Sequence, residues 1–197
     1  MRIRGRNWAI LVVLAVILAA GSAWAGPYEQ GLGLYNSGNY KSAATYFEKA
    51  VAEDAKNVEA MKRLGDCYFN LYTPQNTDYA KLAIEAYEKV LAADPNDGTT
   101  RLHLAQMYSW IEDVDNAVKH LDLLLEKEPQ NTTAMLELAE VYSWKPATYD
   151  KALEQCRNVL KVDPKNKRAH QSAARVYAWK GDFAKSLTHY EALLEQE

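Results

Sequence analysis

The feature that most constrains the fold of this chain is a seven-residue segment that occurs three times at an almost constant spacing. The copies are residues 104–110, 138–144 and 173–179, and each ends in the order Tyr-x-Trp. Their tryptophans lie 34 and 35 residues apart. A fixed period of this length indicates a repeat protein, in which each repeat is one supersecondary unit that packs on its neighbours.

Small and apolar residues within each copy follow a helical period. Leu104, Ala105 and Tyr108 are spaced as on one face of a helix, and a second segment with the same period follows them. The second segments end at Asp-Pro or Glu-Pro pairs such as Asp163-Pro164, because the residue before proline is excluded from the helical region. The pattern therefore predicts two consecutive helices in each repeat, with Gly38 and Gly181 in left-handed conformations that end first helices.

This pattern resembles the tetratricopeptide repeat (TPR) family over essentially the whole chain after residue 25. Repeat two, for example, matches the family at Leu64, Gly65, Tyr68, Ala83, Tyr87 and Pro95. The resemblance implies an all-α TPR superhelix (α-solenoid) of about five helix-turn-helix repeats. The repeats are expected at about 24–57, 58–97, 98–131, 132–166 and 167–197, with additional residues near 72–77 and 145–148.

Residues 1–25 have the layout of a secretory signal peptide. Three arginines precede an apolar stretch over residues 8–20, and Ala23-Trp24-Ala25 supplies a small-x-small cleavage site. The alternative, a membrane anchor, is disfavoured because a spanning helix needs about 20 apolar residues. We therefore expect one TPR domain over residues 26–197 with no membrane span after cleavage, exported by the general secretory route to the periplasm or the medium.

Charge and motifs argue against several classes of function. Without the three arginines of the leader, 20 of the 23 basic residues remain beside 26 acidic residues, which argues against nucleic-acid binding. The sequence has no His-Glu-x-x-His, Gly-x-Ser-x-Gly or Gly-rich phosphate motif. We predict no catalytic residues, no metal site and no cofactor. The four histidines are expected to be solvated, and Cys67 and Cys156 are expected to be packing residues without a disulfide.

The recurring tryptophans are the strongest candidates for a binding site. Position 13 of a repeat lies 200° around the helix from the packed tyrosine at position 11. In the TPR family, the stripe formed by positions 2, 9 and 13 lines the concave groove where ligands bind. The groove residues predicted on this basis, with the aromatics at position 12 of the first two repeats, are Trp110, Trp144, Trp179, Tyr35, Phe69, Gln106, Glu140 and Arg175.

Two interpretations of the tryptophans remain open. Each indole either seals its repeat against the next one or serves as an exposed platform for a ligand. The predicted function is a scaffold for protein–protein interaction in an envelope or secretion assembly. The alternative is a polysaccharide-binding module, because the Tyr-x-Trp repeats are similar to periplasmic TPR segments of exopolysaccharide export systems.

The second helix of repeat five carries a further expectation. Leu187, Tyr190, Leu193 and Leu194 are expected to be partly uncovered, because repeat arrays usually need a polar capping helix and the sequence has none after repeat five. The sequence therefore predicts self-association or a docked protein partner at this helix.

Overall fold

The computed structural model describes residues 26–195, which are helical apart from the connections between helices. They fall into two compact units, the first ending at Ala93 and the second beginning at Asp94. The described residues contain no β-strand, and one isolated bridge joins Thr73 to Asn76. The predicted all-α class is confirmed. The predicted signal peptide lies outside the described residues.

The first unit contains two helical pairs. Its helices are α1 (Pro27–Asn36), α2 (Tyr40–Glu53), α3 (Val58–Leu71) and α4 (Asp78–Ala93). Helix α1 packs on α2, α2 packs on α3, and α3 packs on α4. The connection between α3 and α4 spans residues 72–77, where the sequence predicts the additional segment of repeat two.

The second unit contains three helical pairs. Its helices are α5 (Gly98–Trp110), α6 (Val114–Lys127), α7 (Thr132–Tyr142), α8 (Tyr149–Val162), α9 (Lys167–Trp179) and α10 (Phe183–Leu194). A short 3₁₀ helix, Pro146–Thr148, precedes α8 and accounts for the additional residue of repeat four. Each first helix packs on the second helix of its own repeat.

Short polar side chains and left-handed residues set the ends of the helices. The side chains of Asn57, Asn131 and Asn166 each accept a hydrogen bond from the backbone N–H three residues later, at 2.9–3.0 Å, which satisfies a donor that the helix leaves unpaired. Gly38 and Gly181 have φ values of +77° and +79°, as predicted for the ends of α1 and α9.

A glycine on the first helix of each first-unit pair allows the second helix to approach closely. A Cβ atom built on Gly31 would lie 2.9 Å from the ring of Phe47, and one built on Gly65 would lie 2.6 Å from the ring of Tyr87. Both rings are fully buried. In both pairs, therefore, a residue without a side chain on the first helix faces a buried aromatic ring of the second helix.

The core of the second unit forms between consecutive repeats as well as within each one. Leu121 and Leu124 of α6 share a cluster with Leu138 of α7. Cys156 of α8 shares a cluster with Val176 of α9 in the same way. The apolar face of one helical pair is thus covered by the first helix of the next pair, which is how repeat arrays are stabilised.

Candidate interaction surface

The three repeated tryptophans lie in the second unit, at or just beyond the ends of first helices. Trp110 and Trp179 are the last residues of α5 and α9. Trp144 lies two residues beyond the end of α7, so it is not the helical residue that its repeat position predicts. The exposed fractions of Trp110, Trp144 and Trp179 are 43%, 39% and 52%. Between about two-fifths and one half of each residue's surface is therefore open to solvent.

The tyrosines two positions earlier have a different environment. Tyr108 is 8% exposed. Tyr142 and Tyr177 are partly buried and pack against the core cluster shared by repeats four and five. Because two positions turn a helix by about 200°, the tyrosine and the tryptophan point in opposite directions in the two repeats where both are helical, Tyr108 with Trp110 and Tyr177 with Trp179. The helical phase read from the sequence is confirmed for these tyrosines.

Trp179 has the best defined surroundings of the three tryptophans. Its ring stacks on Tyr149 of α8, with centroids 6.0 Å apart and an interplanar angle of 26°. The guanidinium carbon of Arg175 lies 5.3 Å from the centroid of the Trp179 ring, within range of a cation–π interaction. These contacts hold the indole in place while half of the residue remains exposed.

The structure brings two of the three predicted position-9 side chains together. Arg175 donates a hydrogen bond to the carboxylate of Glu140. Because Arg175 also lies over Trp179, this ion pair links α7 to α9 beside the tryptophan. Both side chains are about two-fifths exposed, so the pair is accessible from solvent.

The third predicted position-9 side chain, Gln106, has a partner that the sequence analysis missed. Its Nε2 atom donates to Oε1 of Glu137 at 3.3 Å. The same oxygen accepts from Arg168 of α9 at 3.4 Å. Glu137 thereby connects α5, α7 and α9. Glu137 lies at position 6 of repeat four, on the edge of the stripe formed by positions 2, 9 and 13. That position is the sequence signal that could have identified Glu137 as part of this surface.

A further ion pair is formed by the residue that follows Trp179 in the chain. Lys180, the next residue, donates to Oδ1 of Asp150 on α8. The hydrogen bond and the charge of Lys180 lower the pKa of Asp150 below its ordinary value. Asp150 is therefore a carboxylate at neutral pH, and the surface around Trp179 carries both signs of charge.

Tyr35 and Phe69, the candidates in the first unit, are partly buried. The ring of Tyr35 contacts Tyr40 edge-on at 5.3 Å and also contacts Phe47 at 6.4 Å. The guanidinium of Arg63 lies 5.5 Å from its centroid. Burial raises the pKa of the Tyr35 hydroxyl. Tyr35 is thus more enclosed than the tryptophans of the second unit.

The titratable side chains of the described residues form no group of three or more that could hold a metal ion. Cys67 and Cys156 are buried free thiols, and burial raises their pKa values to about 12 and about 11. Thiols in this state are poor nucleophiles and poor ligands. The expectation that every histidine is solvated is wrong for His170, which is only 9% exposed and forms a hydrogen bond with His189.

Helix α10 carries the apolar face that the sequence predicts. Leu187, Tyr190 and Leu194 are 58%, 45% and 70% exposed, and Phe183 joins them at 72%. Leu193 is partly buried. That a second copy or another protein covers this face stays a prediction. None of the helices in residues 26–195 combines the length and the apolar character that crossing a membrane requires.

Comparison with known proteins agrees with this geometry. Two family models, both described as tetratricopeptide repeat, match residues 28–97 and residues 80–138. Together these matches cover more than half of the chain. No curated protein sequence matches it.

Several solved structures share the fold. One crystal structure of MamA aligns with a TM-score of 0.75 and 23% identity over 84% of this chain and 92% of that chain. A second MamA crystal structure aligns with a TM-score of 0.77 and 23% identity, over 87% of this chain and 90% of that chain. The structure of a MamA RS-1 ArsTM double mutant aligns with a TM-score of 0.77 and 17% identity, over 86% of this chain and 91% of that chain. At these identities the likeness shows the fold alone.

Proposed function

Because this chain belongs to the tetratricopeptide repeat family, we propose that it is a non-catalytic scaffold that binds an extended segment of another protein. The binding surface is the face of the second unit that carries Trp110, Trp144 and Trp179. The observation that carries the proposal is that all three residues remain 39–52% exposed. Large exposed apolar surface on a soluble protein marks a site of interaction with a partner.

The chemistry around the tryptophans suits a peptide. Tryptophan and arginine are the residues most enriched among those that dominate binding energy at protein interfaces. Here Arg175 and Glu140 lie beside Trp179 and offer both hydrogen-bond donors and acceptors. An extended peptide presents alternating side chains and backbone groups, so it can use apolar platforms and polar groups together.

The same surface is less suited to stacking against sugar rings at Trp179. A sugar requires an open aromatic face, whereas the ring of Trp179 already contacts Tyr149 and Arg175. Polysaccharide binding is therefore not a second proposal. It is an alternative outcome that the binding experiment below distinguishes from peptide binding.

Export is the second part of the proposal. The arrangement of residues 1–25 supports cleavage after Ala25 and a mature chain that begins at Gly26, acting in the periplasm or outside the cell as part of an envelope or secretion assembly. Intact-mass measurement of the protein recovered from its producing cells is expected to give the mass of residues 26–197. A mass that includes residues 1–25 would contradict export by cleavage.

The binding surface is tested with peptides selected on the purified protein from a random displayed library. Alanine variants at Trp110, Trp144 and Trp179 are each expected to weaken binding of the selected peptide by about 1–3 kcal/mol, the range of a central aromatic contact. Their urea unfolding midpoints are expected to change little, because the residues are half exposed. Fluorescence titration and urea unfolding of the same variants measure both quantities.

Val162→Ala is the matched control, because Val162 is an apolar residue of the same unit that is 50% exposed and lies outside the three repeated segments 104–110, 138–144 and 173–179. It should leave binding unchanged. The proposed surface would be refuted if the tryptophan variants were destabilised as much as Tyr108→Ala and showed no separate loss of binding. Binding of glucan or N-acetylglucosamine oligomers in place of peptides would replace the proposed partner with a polysaccharide.

A further inference from the structure

His170 and His189 form a direct hydrogen bond within repeat five. The Nδ1 atoms of the two rings are 3.0 Å apart, with His170 on α9 and His189 on α10. The Nε2 atom of His170 lies 3.0 Å from the carbonyl oxygen of Pro164, in the turn before α9. The ring of Tyr177 stacks on His189 with centroids 5.6 Å apart. The histidine pair therefore connects two helices and a turn.

The hydrogen bonds define which protonation states the pair tolerates. A carbonyl oxygen only accepts, so Nε2 of His170 carries a hydrogen and Nδ1 of the neutral ring accepts from Nδ1–H of His189. One added proton preserves the bond, because one ring can still donate to the other. A second added proton places an N–H on both facing nitrogens. The bond is then lost, and two positive charges face each other across 3.0 Å.

Repeat three contains the same arrangement with arginine in place of the first histidine. Arg101 donates to the carbonyl oxygen of Pro95 at 2.6 Å and lies 3.5 Å from Nδ1 of His120. Tyr108 stacks on His120 at 5.6 Å, as Tyr177 does on His189. The contact thus recurs in repeats three and five, and within residues 26–195 it is built from two imidazole rings in repeat five alone.

Helix α10 depends on this connection more than the other second helices do. Ser186 is its one buried residue among those described, and its hydroxyl donates to the carbonyl oxygen of Ala174 at 2.8 Å. By contrast, α6 buries Ala117, Leu121 and Leu124. Loss of one contact therefore weakens the attachment of α10 far more than that of α6, because little apolar burial remains to hold it.

We propose that the His170–His189 pair is an acid-sensitive switch that holds α10 on α9 near neutral pH and releases it when both rings are protonated. The groups that contact the pair are Tyr177 of α9 and the carbonyl of Pro164. From α10, the ammonium of Lys185 lies 5.3 Å from the centroid of the Tyr177 ring. None of these contacts supplies a carboxylate that would stabilise a doubly charged pair.

The direction of the pH dependence follows from linkage. Burial, and then the charge of His170, lower the pKa of His189 below its ordinary value of 6.5. A group whose pKa is lower in the folded state binds more protons when unfolded. Its stabilising contribution is therefore present above pH 6.5 and is lost as the pH falls through the lower folded value. The release of α10 is expected in this acidic range.

Amide hydrogen exchange of the purified protein at pH 7.5 and pH 5.0, with EDTA present, tests the switch. After correction for the intrinsic exchange rate at each pH, the protection of residues 183–194 is expected to fall several-fold at the lower pH. Residues 149–162, which form the histidine-free helix α8, are the internal reference and should lose much less protection.

The double variant His170→Gln/His189→Gln separates titration from structure. The quantity to compare is the pH ratio, defined as the protection of α10 at pH 7.5 divided by its protection at pH 5.0. If the histidines had a purely structural role, the variant would lose protection equally at both pH values, and its pH ratio would equal that of the natural protein. The switch predicts instead that the pH ratio of the variant falls close to one, whatever its overall protection. An unchanged ratio in the variant, or equal protection of α10 at both pH values in the natural protein, would overturn the proposal.

Discussion

Replacing Phe47 by alanine is expected to lower the free energy of unfolding by about 3–5 kcal/mol, the usual result of deleting a buried aromatic ring. Phe47 is fully buried. Its ring faces Gly31, which has no side chain to fill the space, and it contacts the rings of Tyr28 and Tyr35 at 5.7 Å and 6.4 Å. The substitution therefore leaves a cavity. Urea unfolding monitored by circular dichroism measures the change.

Phe183→Ala provides the control for the same chemical change. Phe183 is 72% exposed at the start of α10, so its removal is expected to change the free energy of unfolding by less than about 0.5 kcal/mol. A comparable loss in both variants would show that Phe183 is covered by a second copy or another contact under the conditions used. A small effect of Phe47→Ala would contradict the described core of the first unit.

The sequence predicted the helical pairs because the information for them is local. The spacing of Leu104, Ala105 and Tyr108 marks one helical face, and all three residues are buried. Glycine at positions 38 and 181 marks turns that need a positive φ, and both residues have one. Helical period and backbone conformation depend on nearby residues, so a single sequence is enough to predict them.

Two local features differ from the repeat pattern. Glu112, at the position where repeats one and five have glycine, adopts a φ of +62°, because packing of the helical pair imposes the turn despite its cost for a residue with a side chain. Trp144 lies beyond the end of α7 because Pro146 follows closely and excludes Lys145 from the helical region. The first feature depends on tertiary packing. The position of Trp144 could have been predicted from the sequence, because Pro146 is visible there.

The candidate surface was predicted only in outline. Helical phase was enough to expect that the tryptophans lie opposite the tyrosines. It was not enough to pair Arg175 with Glu140 or Gln106 with Glu137, because these contacts depend on the stacking of repeats and on side-chain rotamers. The His170–His189 contact was missed for a related reason. It depends on how closely the two helices of one repeat approach each other.

The second large effect concerns Gly65, where alanine is expected to destabilise the protein by about 1–3 kcal/mol through overpacking. A Cβ atom at this position would lie 2.6 Å and 2.8 Å from two carbons of the Tyr87 ring. That ring is fully buried, and its hydroxyl donates to Asp66 at 2.9 Å. A shift of the ring away from an added methyl group would therefore strain this hydrogen bond inside the core.

Gly33→Ala is the matched control, and it is expected to act in the opposite direction. Gly33 lies in the interior of α1, and a Cβ atom there would have no neighbour within 4 Å. Alanine should stabilise the helix by up to about 1 kcal/mol, because it loses less conformational freedom than glycine on folding. Urea unfolding of both variants measures the contrast. Stabilisation by Gly65→Ala would show that Tyr87 does not pack against α3 as described. Destabilisation by Gly33→Ala would show that the exposed side of α1 is a contact surface.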